Sequence, residues 1–171
     1  MKTNEFTEVQ KFRQWWFWII LLGINGVVLY EIIEQVFLKE QWNSQTSTGL
    51  FIAFGGTLLL TLLFVYVRLE TYINEEGVHV RFFPFPFTYK SYAWTDISKA
   101  YVKKCNMLLN YGGWGWRLGG GFRLGFKGRA YTVSGNFRLQ LELFSGKSVL
   151  IGTNKPEELT ETLIAMKKLG Q

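Results

Sequence analysis

Two long runs of uncharged, apolar residues near the N-terminus constrain the fold of this chain more than any other feature. The first run covers residues 15–30, with sixteen residues and no charge, and the second covers residues 49–67, with nineteen. A helix of about 20 apolar residues, rising about 1.5 Å per residue, crosses the hydrocarbon core of a bilayer. The pattern therefore predicts two membrane-spanning helices, at about residues 15–38 and 49–67.

The segments around these helices predict the domain organisation. Residues 39–48 are polar and few, so the two helices are expected to form an antiparallel hairpin over residues 15–68. Residues 1–14 are interpreted as a polar tail. Residues 69–171 alternate between apolar and polar positions and are long enough to bury a modest core of their own.

Charge predicts the orientation of the hairpin. Basic residues flank it on the side of both chain ends: Lys2, Lys11, Arg13, Arg68, Arg81 and Lys90. The linker holds only Lys39, beside Glu40. By the positive-inside rule, the tail and the C-terminal region are both expected in the cytoplasm, as in a multi-pass protein of the cell membrane.

Polar and small residues within the hairpin leave two questions open. Gly49, Ala53, Thr57 and Thr61 recur at every fourth position of the second helix, a spacing that suits close helix packing. They could pack on the first helix of the same chain or form a homo-oligomer. Glu31 and Glu34, near the outer end of the first helix, could line an ion path or lie in the solvated interface.

The C-terminal region reads as about seven short strands followed by one amphipathic helix. Apolar and polar residues alternate with a period of two, turn residues separate the runs, and a helix begins near Pro156. This order predicts an α+β protein in which a small barrel or sandwich is capped by a helix.

Three segments resemble the bacterial, membrane-anchored form of the pleckstrin-homology-like (PH-like) domain. They are YINEEGV at 72–78, YAWTDI at 92–97, and GKSVLIGT at 146–153 running into PEEL at 156–159. The resemblance implies a seven-stranded β barrel or sandwich with one C-terminal capping helix. It also implies a non-enzymatic domain for lipid or protein contact. It does not transfer a phosphoinositide site, because the turn at residues 75–77 is acidic.

Catalytic, metal and cofactor chemistry lack the necessary residues. His79 and Cys105 are the single histidine and cysteine. A catalytic nucleophile would therefore have only His79 as an imidazole base, and a metal ion would have few nitrogen or sulfur ligands. Residues 145–148 read SGKS, but the phosphate-binding loop needs Gly where Leu141 stands, and this segment lies between two strands. We expect no enzyme, no cofactor and no bound metal. Dispersed basic residues on a membrane-bound domain also argue against nucleic acid.

A glycine-rich segment with tryptophan and arginine, residues 110–128, is interpreted as a surface loop that dips into the membrane or binds a partner. The candidate lipid- or partner-binding residues in and after it are Trp114, Trp116, Arg117, Arg123, Lys127 and Arg129. Trp favours membrane interfaces, and basic side chains attract anionic headgroups. The alternative is that both Trp side chains fold back onto the barrel.

The expected function is a membrane-anchored interaction module that binds a protein partner or an anionic lipid at the cytoplasmic face. Fifteen of the nineteen Lys and Arg residues follow residue 67, against eight of the thirteen Asp and Glu residues, so the C-terminal region is basic. The alternative is a small subunit of a transport or envelope-stress complex in which the hairpin is the functional part.

Overall fold

In the computed structural model of this protein, the two apolar helices interrupt a β-rich unit rather than precede it. One unit comprises Met1–Phe12 together with Val67–Gln171, and the other comprises Arg13–Tyr66. The structure describes residues 5–35, 44–84, 87–104, 115–118 and 128–170, with the backbone alone for 115–118.

The helical unit consists of α1, Trp15–Ile33, and α2, Ser44–Tyr66. Both helices are long and apolar enough to cross a membrane: mean hydropathy is 1.9 for Trp15–Ile33 and 2.1 for Gln45–Tyr66. Few of their residues are buried, unlike those of a core helix in a soluble protein. Helix α2 begins five residues before the predicted start at Gly49, because Ser44–Thr48 continue the helix although they are too polar to extend the apolar run.

The two helices pack along one seam whose residues recur every three or four positions. On α1 the buried or half-buried residues of the seam include Phe17, Leu21, Asn25, Val28 and Ile32; on α2 they include Ser47, Leu50, Phe54, Thr57, Thr61 and Phe64. The rings of Phe17 and Phe64 meet edge to face, with centroids 4.7 Å apart. Nearer the middle, Asn25 lies opposite Thr57 and Thr61, so the helices run antiparallel, as predicted.

The first sheet has four antiparallel strands in sequence order. They are β1 (Phe6–Lys11), β2 (Arg68–Ile73), β3 (Gly77–Phe83) and β4 (Lys90–Ala93). Strand β1 pairs with β2 over its whole length, from Phe6 opposite Ile73 to Lys11 opposite Arg68. The interpretation of residues 1–14 as a tail is therefore wrong for Phe6–Lys11.

Strand β1 is held in place by polar side chains on its inward face. Phe6, Glu8 and Gln10 are buried, whereas Thr7, Val9 and Lys11 are exposed. The Glu8 carboxylate accepts hydrogen bonds from Thr153 Oγ1, at 2.7 Å, and from the Asn154 backbone N–H, at 2.8 Å. Gln10 Nε2 donates to the Gly152 carbonyl at 2.7 Å. Because two of the three inward residues are polar, the segment lacks the alternating apolar signal of a half-buried strand.

The second sheet has the order β5-β8-β9-β7-β6. Its strands are β5 (Ile97–Lys104), β6 (Gly115–Leu118), β7 (Gly128–Thr132), β8 (Phe137–Leu143) and β9 (Ser148–Thr153). Neighbours are antiparallel except for β7 and β9, which are parallel. The described residues thus form nine strands, rather than the seven predicted, because Phe6–Lys11 and Gly115–Leu118 each add one.

The two sheets and helix α3, Pro156–Ala165, bury a common apolar core. Phe6, Leu69 and Val78 from the first sheet, together with Leu139, Leu141 and Ile151 from the second, are each at most 1% exposed. Leu159 and Leu163 close the core from α3, which packs near β5 and β1. The chain is therefore an α+β protein: two apolar helices, two sheets and a C-terminal helix.

Gly77 is required by the close approach of β3 and β4. A Cβ atom at this position would lie 2.2 Å from the Tyr92 carbonyl oxygen and 3.0 Å from the Ala93 Cα, both backbone atoms. We expect Gly77→Ala to lower the free energy of unfolding by about 2 kcal/mol, because the two strands must separate. Denaturant unfolding of the full chain in detergent, followed by tryptophan fluorescence, measures the change.

Gly152 supplies the matched control for Gly77. It also lies in a strand, but an added Cβ would meet its nearest neighbours at 3.5 Å, an ordinary contact distance. Gly152→Ala is expected to change stability by less than about 0.5 kcal/mol. Equal destabilisation by the two substitutions would contradict the steric explanation.

Candidate functional site

A basic cleft lies between the free edge of the first sheet and one side of the second. Its walls are β4, the start of β7, and the turn that joins β8 to β9, and its volume is about 290 Å³. Pockets that hold small ligands start at about 300 Å³. The cleft therefore lies at the lower end of this range, which suits only a small ligand or a headgroup.

Cations from three separate segments line this cleft. Lys90 comes from β4, Arg129 from β7 and Lys147 from the β8–β9 turn, and Asp96 is the one carboxylate among the lining residues. Ser145 and Ser148 accompany them, as does Ser91, whose hydroxyl also lies 2.8 Å from His79 Nδ1. Cationic and hydroxyl donors around a small volume favour an anion with several acceptor oxygens.

Two buried tyrosines lie beside Arg129 at the cleft. The hydroxyl groups of Tyr92 and Tyr131 are 3.5 Å apart, and both side chains are buried. Burial, followed by the contact with Tyr131, raises the pKa of Tyr92, so its hydroxyl stays neutral and acts as a fixed dipole. A hydrogen bond to Tyr92 raises the pKa of Arg129, whose guanidinium therefore remains fully charged.

The six predicted interaction residues do not all belong to one described surface. Trp114, Arg123 and Lys127 lie outside the described residues. Trp116 and Arg117 belong to β6, where they pair with Tyr131 and Ala130 of β7. Arg129, the candidate whose side chain the structure describes, lines the cleft.

The interpretation of residues 115–118 as part of a surface loop is wrong. Gly115–Leu118 form β6 and pair antiparallel with Gly128–Thr132 along four residue pairs. The partner strand supplies the hydrogen-bonding ladder, so pairing overrides the low strand propensity of glycine. Whether the rest of the segment dips into a membrane or folds back stays a prediction.

The small residues of α2 lie on two faces rather than one. Thr57 Oγ1 donates to Asn25 Oδ1 at 3.0 Å, and Asn25 Nδ2 donates to Thr61 Oγ1 at 2.9 Å, so these two threonines pack on α1. Gly49 and Ala53 are exposed. A four-residue step turns a helix by about 40° past one full turn, so three such steps move a residue by about 120°. Packing within the chain thus accounts for Thr57 and Thr61.

Two of the segments that resemble the PH-like family form one structural unit. Asn74 Oδ1 accepts the backbone N–H groups of Glu76 and Gly77, both at 3.0 Å, and shapes the β2–β3 turn. Trp94 Nε1 then donates to the Asn74 carbonyl at 2.9 Å. These residues therefore stabilise the fold.

The structure identifies two cleft residues that the sequence patterns did not select as a site, Lys90 and Lys147. The signal for Lys147 was present in the segment SGKS, which was set aside because it lacks the phosphate-binding loop. The turn supplies a lysine and two serine hydroxyls to the cleft without that loop. Lys90 carries no local signal of its own. Among the described residues, no three His, Cys, Asp or Glu side chains come together as a metal site.

Comparison with known proteins leaves the family of this chain open. No protein-family model matches it, and a search of curated proteins finds no match.

Proposed function

We propose that this protein is a membrane-anchored, non-enzymatic interaction module that presents a PH-like domain at the cytoplasmic face of a bacterial cell membrane. The observation that carries the proposal is the insertion of the apolar hairpin between two paired strands. Strand β1 ends at Lys11 and α1 begins at Trp15, while α2 ends at Tyr66 and β2 begins at Arg68. The β-rich unit therefore holds both ends of the hairpin.

This connection restricts the membrane topology. Lys11 and Arg68 are paired neighbours in the first sheet, so both ends of the hairpin must emerge on the same side of a bilayer. Basic residues stand at these ends, at Lys11, Arg13 and Arg68, which favours the cytoplasmic side. A hairpin fixed at both ends suits an anchor that keeps a binding domain close to the lipid surface.

The strand plan supports the PH-like part of the proposal. Strands β5 and β8 are neighbours in the sheet, but residues 105–136, which include the β6–β7 hairpin, lie between them in the chain. Without that hairpin, seven strands and one closing helix remain. The number agrees with the resemblance, although the strands differ from those predicted, because β1 is now counted and β7 is not.

Cysteine labelling in vesicles tests the proposal. On a Cys105→Ser background, single cysteines replace Thr7 in β1, Glu76 in the β2–β3 turn, and Thr46 at the start of α2, all of which are exposed. A membrane-impermeant maleimide should label Thr7→Cys and Glu76→Cys in inside-out vesicles and Thr46→Cys in right-side-out vesicles. The first two are expected to agree because β1 and β2 belong to one sheet.

Two results would overturn the anchoring model. One is labelling of Thr7→Cys and Glu76→Cys from opposite sides. The other is release of the full chain from membranes by alkaline carbonate, which would show that α1 and α2 do not span the bilayer. Helices α1 and α2, which contain a single charged residue, Glu31, are expected to resist this extraction, because they expose many large apolar side chains that a bilayer would bury.

A further inference from the structure

We infer that the cleft between β4, β7 and the β8–β9 turn is a binding site for a phosphate group, carried by a lipid headgroup or by a small soluble phosphate. This inference rests on the proposed function, since it names the ligand that the membrane-anchored module would recognise. The lining residues that carry the inference all belong to the β-rich unit and to the described part of the chain.

The charge of the cleft favours a phosphate over a neutral ligand. Lys90, Arg129 and Lys147 converge on a volume of about 290 Å³ that contains one carboxylate, from Asp96. A phosphate monoester has up to two negative charges and three acceptor oxygens, so several cations can contact it at once. Because cations outnumber carboxylates in the lining, the cleft would attract a negatively charged phosphate and repel a cationic ligand.

The hydroxyl groups complete the donor set. Ser145 and Ser148 flank Lys147 along the chain, and all three line the cleft. A phosphate held by a lysine and an arginine still has oxygen lone pairs left, and serine hydroxyls can donate to these. The mixture of charged and neutral donors distinguishes this cleft from a patch of solvated surface lysines.

Arg129 lies beside the buried hydroxyl groups of Tyr92 and Tyr131, which favour its charged form. A charged, planar guanidinium suits a phosphate group, because it can donate two parallel hydrogen bonds to it. Arg129 remains partly exposed, so it can reach a ligand in the cleft.

The size of the cleft sets the part of the ligand that it can bind. A volume of about 290 Å³ suits a headgroup or a small phosphorylated molecule, whereas a peptide or a nucleic-acid strand needs a longer groove. For a lipid, the acyl chains would stay in the bilayer. For a soluble ligand, the phosphate would enter from the cytoplasm.

Native mass spectrometry of the full chain in detergent micelles tests the inference. The probes are phosphatidic acid, phosphatidylcholine with the same acyl chains, and sn-glycerol 3-phosphate. The decisive variant is Lys147→Gln, because Lys147 lies in an exposed turn and its replacement leaves the core intact. Lys99→Gln is the matched control, since it removes the same charge from an exposed lysine that is not among the residues lining the cleft.

Lys147→Gln is expected to weaken binding of the preferred phosphate probe about tenfold, and Lys99→Gln less than twofold. Arg129→Gln should weaken it at least as much, and Arg129→Lys should restore part of the loss. Preference for phosphatidic acid over phosphatidylcholine, with no binding of glycerol 3-phosphate, supports a lipid headgroup as the source. Binding of glycerol 3-phosphate that is lost in Lys147→Gln supports a soluble phosphate.

Two results would overturn the site. Either Lys147→Gln binds every probe as well as the wild type, or Lys99→Gln loses as much affinity as Lys147→Gln, which would indicate attraction by net charge alone. The titration takes place in detergent and does not depend on membrane orientation. Failure of the cleft is therefore distinguishable from failure of the anchoring model.

Discussion

Replacing the three inward residues of β1 by serine, at Phe6, Glu8 and Gln10, is expected to abolish stable folding of the β-rich unit. Phe6 is 1% exposed in the core, and loss of such a ring costs about 3–5 kcal/mol. Loss of the Glu8 bonds to Thr153 and to Asn154 costs about 2–3 kcal/mol more, and loss of the Gln10 bond about 1 kcal/mol. Together these approach the whole stability of a domain, about 5–15 kcal/mol.

The outward face of the same strand supplies the control. Serine at Thr7, Val9 and Lys11 changes three exposed residues and leaves the core contacts in place. That variant is expected to lose only about 1 kcal/mol, mainly through strand propensity. Limited proteolysis and tryptophan fluorescence of the full chain in detergent compare the two variants.

Membrane insertion should survive in both β1 variants. The apolar runs of α1 and α2 are unchanged, and these drive insertion. A chain with a protease-sensitive β-rich unit and a protected hairpin is therefore the expected outcome for the inward variant. If the inward and outward variants proved equally stable, β1 would not be an integral strand of the unit.

Features with a strong local signal could be predicted from the sequence. The apolar runs predicted the start of α1 at Trp15 and most of α2, because the hydropathy of a segment depends only on residues that are adjacent in the chain. The runs could not give the start of α2 at Ser44, since the first turn of this helix is polar. The alternation predicted strands at residues 72–74, 78–82, 137–144 and 148–151, which overlap β2, β3, β8 and β9.

Strand β1 could not be predicted in this way. Its inward face holds Glu8 and Gln10, which read as surface residues until their partners are known. Those partners, Gly152, Thr153 and Asn154, lie 142 to 146 positions away in the chain. A contact of that separation leaves no periodic signal in a single sequence.

The cleft could not be predicted for a related reason. Its cations come from residues 90, 129 and 147, three segments that are brought together by the order of the strands. Arg129 was among the candidates, but its neighbours in the chain suggested a glycine-rich surface segment. In the fold, its neighbours at the cleft are Lys90, Lys147 and the serines of the β8–β9 turn.

A second cluster, on β2 and β3, predicts how stability depends on pH. Glu70 is 9% exposed and binds three side chains: Arg68 Nε at 2.7 Å, Arg81 Nε at 2.9 Å and the Tyr89 hydroxyl at 2.6 Å. Arg81 also lies over the Tyr89 ring, with its guanidinium carbon 4.5 Å from the centroid. Burial raises the pKa of Glu70, but the bonds from Tyr89 and Arg81 and the charges of both arginines lower it by more.

The sign of the pH effect follows from that lowered pKa. The folded state holds Glu70 ionised more tightly than the unfolded state, whose value is near the ordinary 4.5. The carboxylate therefore stabilises the fold at pH values above 4.5, and this contribution is lost as the pH falls through the lower, folded value.

Glu70→Gln is accordingly expected to lower the free energy of unfolding by about 3 kcal/mol at pH 7, because it leaves two arginines and a tyrosine around an uncharged group. The difference from wild type should shrink as the pH falls below 4.5, where the wild-type carboxylate becomes protonated too. Glu75→Gln, in an exposed turn, is the matched control and should show no such dependence. Denaturant unfolding of the full chain between pH 3 and pH 7 measures all three proteins. A deficit in Glu70→Gln that stays constant over this range would show that Glu70 acts through packing rather than through its charge.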